Sequence, residues 1–237
     1  MVNRTVIKSP IFKGKLNVND PNLFMDFKGV IDMSKKEKVY QFDTQIDYAN
    51  LKKLNLVKTD SISIFKGKIF SNLIGNNINT MYGDLKIEQS SYQNGRDIFV
   101  FDNFTITSNF DSSNQRLITI NSPDIIDGKI EGKFDFEEVP KLVENSLGSI
   151  YAHFNYNKVK KGQYLRFDFA VYNKIIEIFY PEISLSSDTK INGSINADTN
   201  DFKLDLTSSK IEAFDNDIHA ISLEIDNKNP LFNSFIS

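Results

Sequence analysis

The stretch "DGKIEGKFDFEEVPKLVENSLGSIY", residues 127–151, changes its hydrophobic period part-way along. In its first ten residues a glycine or an apolar residue alternates with a charged one, which is typical of a half-buried β-strand. From Val139 onward the apolar residues follow helical spacing, at Leu142, Val143 and Leu147. Two glutamates and a proline before them suit a first helical turn. The sequence therefore predicts a strand that runs directly into a short amphipathic helix.

The same strand pattern recurs along most of the chain. "FKGKLNV" at 12–18, "FKGVIDM" at 27–33, "VYQFDTQIDY" at 39–48 and "YLRFDFAVY" at 164–172 all alternate, and "IIEIFY" at 175–180 is apolar on both parities. Turn-rich segments separate these runs, so we expect roughly fourteen to sixteen short strands. "YANLKKLNL" at 48–56 interrupts the alternation and predicts one or two helical turns. The predicted fold class is all-β, an antiparallel sheet with one or two short helices.

Glycine falls on the apolar parity in several of these strands. Phe-Lys-Gly recurs at 12–14, 27–29 and 65–67, and Gly132-Lys133-Phe134 is a relative. Glycine inside a strand often marks a bend or a close approach of another backbone. Room for a neighbouring aromatic ring is an equally good explanation, so both remain open at this point.

Composition excludes several classes of function. The 28 basic and 31 acidic residues are interspersed and the net charge is −3, which argues against nucleic-acid binding. The chain has no cysteine, so disulfides, thiolate metal sites and cysteine catalysis are excluded. Its two histidines, His153 and His219, lie in strand-like patterns, and no catalytic motif is present. Acidic clusters at 198–201 and 215–217 suit solvated turns better than calcium sites. We therefore expect a protein that is not an enzyme and that needs no cofactor.

No apolar run approaches the length that crosses a bilayer, and the start "MVNRTVIKSP" lacks a leader-like apolar segment. Either the protein is cytoplasmic, or the chain is an internal piece whose targeting segment lies elsewhere. The sequence divides into strands at 1–136, a helix at 137–151 and strands at 152–237, which we expect to form one continuous domain.

A long sheet with one apolar face must cover that face by closing, by packing as a sandwich or by curling into a trough. About fifteen strands at roughly 4.8 Å would span on the order of 70 Å. We expect a long, curled sheet that forms an elongated groove for acyl chains. The predicted lining residues are Phe12, Leu16, Phe27, Ile31, Phe42, Ile46, Phe65, Ile69, Leu85, Ile87, Phe104, Ile106, Ile130, Phe134, Phe136, Phe167, Phe169, Ile195, Leu204, Leu206, Leu223 and Ile225. The helix is expected to cover this groove with Val139, Leu142, Val143 and Leu147.

The succession of such strands resembles the TamB family and its AsmA-like relatives. The resemblance rests on "FKGKI" at 65–69, "YGDLKI" at 82–87, "ANLKKLNL" at 49–56, "FEEVPKLVENSL" at 136–147 and the final "DNKNPLFNSFIS" at 226–237. It implies an internal fragment of a longer periplasmic protein, anchored in the inner membrane by a segment absent here. It further implies a groove (a "β-taco") that transports phospholipid between inner and outer membrane. The implied partners are phospholipid acyl chains and, through other parts of the parent chain, an outer-membrane barrel of the TamA or BamA type.

Two other functions are compatible with the pattern. An exposed sheet edge could receive an unfolded outer-membrane strand by β-augmentation, which would make the chain a scaffold for protein assembly. A closed β-sandwich would instead indicate an adhesin or a carbohydrate-associated module.

Overall fold

The computed structural model describes residues 10–57, 62–95, 97–148, 156–180, 182–214, 216–229 and 234–236. The predicted fold class is confirmed, because these residues form mostly antiparallel β-strands with short helices. The chain divides into two compact units, Met1–Thr107 and Ser108–Ser237. The predicted helix lies inside the second unit.

In the first unit each strand pairs antiparallel with the strand before it. This order follows from short connections, which favour hairpins between sequence neighbours. Strand β1 forms an edge and pairs only with β2 among the described strands of this unit. The strands are β1 (Ile11–Asp20), β2 (Leu23–Asp32), β3 (Val39–Asn50), β4 (Ser63–Ile74), β5 (Tyr82–Asn94) and β6 (Asp97–Phe101).

Strand β7 (Phe104–Phe110) crosses the division between the units. The second unit continues in the order β8-β9-β10-β12-β13-β14-β15, and β11 pairs with β13. Its elements are β8 (Arg116–Asn121), β9 (Ile126–Lys133), a 3₁₀ turn (Phe136–Glu138), α1 (Val139–Gly148), β10 (Tyr164–Val171), α2 (Asn173–Phe179), β11 (Ile183–Leu185), β12 (Lys190–Asn196), β13 (Asp201–Ala213), β14 (Asn216–Asp226) and β15 (Ser234–Ile236).

The strand at 127–136 is shorter than predicted. Strand β9 ends at Lys133, so Phe134 and Phe136 lie beyond it, Phe136 in the 3₁₀ turn. The backbone N–H of Asp135 donates to the side-chain oxygen of Gln163 at 2.8 Å. That bond takes the place of a further ladder bond to β10, whose pairing with β9 ends at Lys133.

One other local prediction needs correction, and a second agrees with the structure. Residues 175–180 were expected to continue a strand, but most of them belong to α2. Periodicity alone cannot separate a short apolar strand from a short helix. Within the segment predicted to form one or two helical turns, residues 51–56 form turns directly after β3. The N–H of Leu54 donates to the carbonyl of Asn50 at 3.0 Å, which is the i→i+4 bond of one helical turn.

Several glycines on the apolar parity lie where a neighbouring backbone comes very close, although Gly14 does not. A Cβ added at Gly132 would be 2.2 Å from the carbonyl oxygen of Tyr164, and Gly132 has a φ of +146°. At Gly128 an added Cβ would be 2.0 Å from the Asp168 oxygen and 2.5 Å from the Phe169 ring. Both explanations offered by the sequence therefore apply, a close backbone approach and room for a ring.

Candidate functional site

The pairing register places the apolar residues of the first unit on one face. Directly opposed residues in an antiparallel sheet project to the same side, so each set of partners forms a row across the strands. Leu16, Phe27, Thr44, Ile69 and Ile87 make one such row. The row beside it holds Gly14, Gly29, Phe42, Ser71 and Leu85.

Other predicted residues of this unit extend the same face. Ile31 pairs with Phe12, and Ile46 pairs with Met25 and with Gly67. Phe65 pairs with Ala49 beyond a register shift in β3. Phe104 and Ile106 lie two residues apart in β7 and so share one side of that strand.

Aromatic rings run along this face in contact with one another. The Phe12 and Phe27 rings meet edge to face with centroids 5.6 Å apart, and the Phe27 and Phe42 rings follow at 5.1 Å. The rings nevertheless remain only half-buried, and Leu16 keeps 43% of its exposure. The apolar face of the first unit thus presents hydrocarbon and aromatic surface to its surroundings.

The opposite face of the first unit is mainly polar. Asn17 donates to the carboxylate of Asp26 at 2.7 Å, and Gln41 donates to Asn72 at 2.8 Å. These pairs join neighbouring strands across the sheet. The two faces therefore differ sharply in chemistry, as the alternation predicts.

One hydroxyl group departs from the apolar character of its face. Thr44 lies between Phe27 and Ile69 in its row and is buried. Among the described residues its Oγ1 is a buried side-chain atom without a hydrogen-bond partner. Leaving such a group unsatisfied costs about 1–3 kcal/mol. Sequence parity places Thr44 on the apolar face but gives no sign of this cost.

The second unit repeats the arrangement with longer rows. Ile118, Ile130, Phe167, Leu204 and Ile225 occupy one row, with Gly193 between Phe167 and Leu204. The next row holds Phe169, Leu206 and Leu223 together with Ile120, Gly128 and Ile191. The Phe167 and Phe169 rings stack with centroids 6.4 Å apart.

Helix α1 covers one end of this second apolar face. Leu165, Ile195 and Phe202 share a row there, and each is only 4% exposed. The helix packs against β12, and its Leu142 is 1% exposed. Residues farther along the face, such as Phe167 and Leu204, remain half-buried. The helix therefore shields part of the face and leaves the rest accessible.

The buried side of α1 is narrower than predicted. Leu142 is buried and Val139 and Leu147 are half-buried, but Val143 is 39% exposed. Asn145 and Ser146 are buried instead, at the i+3 and i+4 spacing from Leu142. Helical geometry places those positions on the same side as Leu142. Their spacing from Leu142 therefore indicates burial, although their polarity does not.

A polar clamp holds α1 to the chain that follows it. Asn145 donates to the carbonyl of Asn157 at 2.8 Å and accepts from the N–H of Asn157 at 2.6 Å. At the start of the helix, Glu138 accepts from the backbone of Lys160 at 2.9 Å and from the side chain of Gln163 at 2.5 Å. These bonds fix the helix over the sheet without a second apolar layer.

A buried arginine lies at the covered end of the face. Arg116 pairs with Gly132 and is 5% exposed. Its guanidinium lies 4.7 Å from the centroid of the Phe136 ring and 5.2 Å from that of Phe110, and its Nε donates to Ser108 at 2.9 Å. Burial lowers the pKa of Arg116 from its ordinary value. Phe134 and Phe136 also meet here, edge to face at 5.4 Å, so these two residues close the end of the face rather than line a strand.

The described part of the chain offers few groups that suit catalysis or metal binding. No group of three or more histidine, aspartate or glutamate side chains there could hold a metal ion. None of its helices is long and apolar enough to cross a membrane. His219 lies exposed in β14, and His153 lies outside the described residues.

Comparison with known protein families, with characterised proteins and with solved structures finds no match to this chain. The resemblance to the TamB family therefore stays a hypothesis that rests on the sequence pattern.

Proposed function

We propose that this chain is a non-enzymatic segment of a periplasmic bridge between the inner and outer membranes. Its apolar sheet faces carry phospholipid acyl chains from one membrane to the other. This transport supports outer-membrane biogenesis and protein assembly. The observation that carries the proposal is the half-exposed apolar face of the first unit. In a self-sufficient domain such a face is normally packed against a second layer. A contiguous exposed apolar patch marks an interaction site.

Acyl chains suit this face in their chemistry. Moving one methylene group from water to an apolar environment is worth about 0.8 kcal/mol. A chain lying along an open face, with one side still in water, gains about half of that per methylene. The gain accumulates along the chain yet does not depend on position, which suits transport better than storage. The polar opposite face keeps the segment compatible with water.

Photo-crosslinking tests this proposal directly. Benzoylphenylalanine at Phe27 or Phe42 should capture phospholipid from vesicles, whereas the same group at Gln41 or Asp43 should not. Both control positions lie in β3, the strand of Phe42, but project to the opposite face. Mass spectrometry of the adducts provides the readout. Equal labelling of both sets would refute the proposal.

A transfer assay tests the same idea in the second unit. Phe169→Asp places a charge on the apolar face, and Thr207→Asp places one on the polar face. Fluorescent phospholipid transfer between vesicles should fall in the first variant and stay near the wild-type rate in the second. A loss of the same size in both would show that the charge acts by some route other than the face.

The edge of β1 favours a second candidate function. This ten-residue strand lacks a partner on one side among the described strands of its unit, and such an edge accepts an extended peptide by β-augmentation. Crosslinks from Lys15 to the backbone of an outer-membrane hairpin peptide, without bound lipid, would support it. A sandwich module is less favoured, because a sandwich buries the inner face of each sheet.

A further inference from the structure

The charged face of the second unit contains a depression of about 350 Å³. This volume falls within the range of about 300–1,000 Å³ usual for small-molecule sites. Most of its lining comes from side chains of β9, β10, β12 and β13 that project away from the apolar face. The depression is therefore distinct from the surface proposed to carry acyl chains.

A cationic row crosses this depression. Arg166, Ser194 and Lys203 are direct partners on β10, β12 and β13, so the serine hydroxyl lies between two positive side chains. Cβ atoms of such partners are about 5 Å apart. Asp226 forms an ion pair with Lys203 at 2.8 Å and raises the pKa of that lysine, chiefly through the hydrogen bond. Lys203 is thus held in place and fully charged at neutral pH.

Arg166 is available for a ligand. Its side chain is exposed and has no ion pair or hydrogen bond among the described residues. Glu131 is its partner on β9, yet the two side chains form no ion pair there. A guanidinium offers five donors in a planar fork that matches phosphate oxygens. With the hydroxyl and the ammonium beside it, the row presents the donors that a phosphate group needs.

An anionic row lies next to the cationic one. Asp168, Asn192 and Asp205 are partners on the same three strands. Each lies two residues from a member of the cationic row, which is about 6.8 Å along a strand. Neither aspartate has an ion pair or hydrogen bond among the described residues. Two carboxylates and an amide oxygen suit a primary ammonium, which carries three donors.

Opposite charges lie directly across from members of both rows. Glu131 is opposite Arg166, Lys129 is opposite Asp168 and Asp226 is opposite Lys203. Of these three pairs, only Lys203 and Asp226 form an ion pair among the described residues. Arg166 and Asp168 therefore keep hydrogen-bonding capacity that a ligand can use.

We infer that this depression binds a small zwitterion in which a short aliphatic linker joins a phosphate to a primary ammonium, with the phosphate on Arg166, Ser194 and Lys203 and the ammonium on Asp168 and Asp205. The same chemistry occurs as a free phosphoethanolamine and as a lipid head group. The inference stands apart from the proposal of acyl-chain transport, because it concerns the opposite face of the sheet.

NMR titration of the full chain tests the site. Phosphoethanolamine should shift the Nε–H signal of Arg166 and the amides of Gly193 and Ser194 in a saturable manner. Inorganic phosphate and ethanolamine, each tested alone, should bind about tenfold more weakly or worse, since each leaves one charged row unsatisfied. Added salt should weaken binding, because these charges are exposed.

Variants separate the two halves of the site. Arg166→Gln should weaken phosphoethanolamine binding about tenfold or more and hardly change ethanolamine binding. Asp168→Asn should weaken phosphoethanolamine binding without changing phosphate binding. Lys15→Gln, on the polar face of the first unit, is the matched control and should leave all three unchanged. Circular dichroism of each variant verifies that the fold is intact.

Binding to vesicles of defined composition identifies the source of the ligand. Capture by phosphatidylethanolamine vesicles, but not by phosphatidylcholine vesicles, assigns the site to a lipid head group. Binding of soluble phosphoethanolamine without vesicle capture assigns it to a free zwitterion. No saturable shift, equal affinity for phosphoethanolamine and phosphate, or an Arg166→Gln variant that binds like the wild type would each overturn the inference.

Discussion

Replacing Leu142 with alanine should destabilise the second unit strongly. The substitution removes three carbon atoms from a side chain that is 1% exposed. At about 0.8 kcal/mol per carbon the transfer term is about 2.4 kcal/mol, and the cavity left behind raises the loss to about 3–4 kcal/mol. The adjacent Val143 is 39% exposed, so Val143→Ala should cost less than about 1 kcal/mol.

Native-state hydrogen exchange measures this loss of stability at the strand that α1 covers. Strand β12 packs against the helix, so exchange of its amides should accelerate roughly a hundredfold or more in Leu142→Ala, at about 1.4 kcal/mol per factor of ten. Val143→Ala should change the same amides by only a few-fold. Similar acceleration in both variants would show that α1 does not bury Leu142 against the sheet. Faster exchange confined to the helix would mean that the strands are stable without their cover.

Three further predictions follow from particular contacts. Gly132→Ala should lower the urea midpoint markedly, since its Cβ would meet the Tyr164 carbonyl at 2.2 Å. Gly14→Ala should lower it less, because Gly14 shares a positive φ, of +159°, but its added Cβ would meet nothing within 4 Å. Equal midpoints in the two variants would refute the close approach. Hydrogen bonds, first that from the Ser186 hydroxyl, lower the pKa of Asp188. The carboxylate therefore stabilises the fold above pH 3.8, and this stabilisation disappears as the pH falls through the lowered pKa. The difference in urea midpoint between wild type and Asp188→Asn should shrink in acid. Arg116→Ala removes a side chain that packs against the Phe110 and Phe136 rings, so it should increase dye binding at the end of the apolar face more than it changes circular dichroism. Unchanged dye fluorescence would contradict the packing seen around Arg116.

The sequence predicted the strands and their faces well where alternation was unbroken. Phe27, Phe42, Phe167 and Leu204 lie on the apolar sides as expected, because a period of two fixes which residues share a face. Whether those faces hold acyl chains is a separate matter, which the crosslinking experiment decides.

The failures have local physical causes. Phe136 lies outside the strand because the backbone N–H of Asp135 donates to the side chain of Gln163. These two residues are 28 positions apart in the chain. Val143 points outward because α1 packs on the side defined by Leu142, Asn145 and Ser146, two of which are polar. Neither tertiary contact is visible in the periodicity of the chain.

The depression on the charged face was harder still to foresee. Its two rows consist of residues from three strands, and their charges come together only through the register of β10, β12 and β13. A register shift of one residue would move every one of these side chains to the other face.

The sequential strand order of the first unit has a consequence for how the chain folds. Each strand from β2 to β5 pairs with the one that precedes it, so no pairing waits for a distant segment. The connection between β3 and β4, residues 51–62, is longer than the other connections from β1 to β5. Closing such loops costs little entropy, because the cost grows only slowly with loop length. The sheet can therefore assemble one hairpin at a time while the chain emerges from a ribosome or a translocation channel. Local pairing of this kind also favours fast folding over the slow search typical of sheets with distant partners.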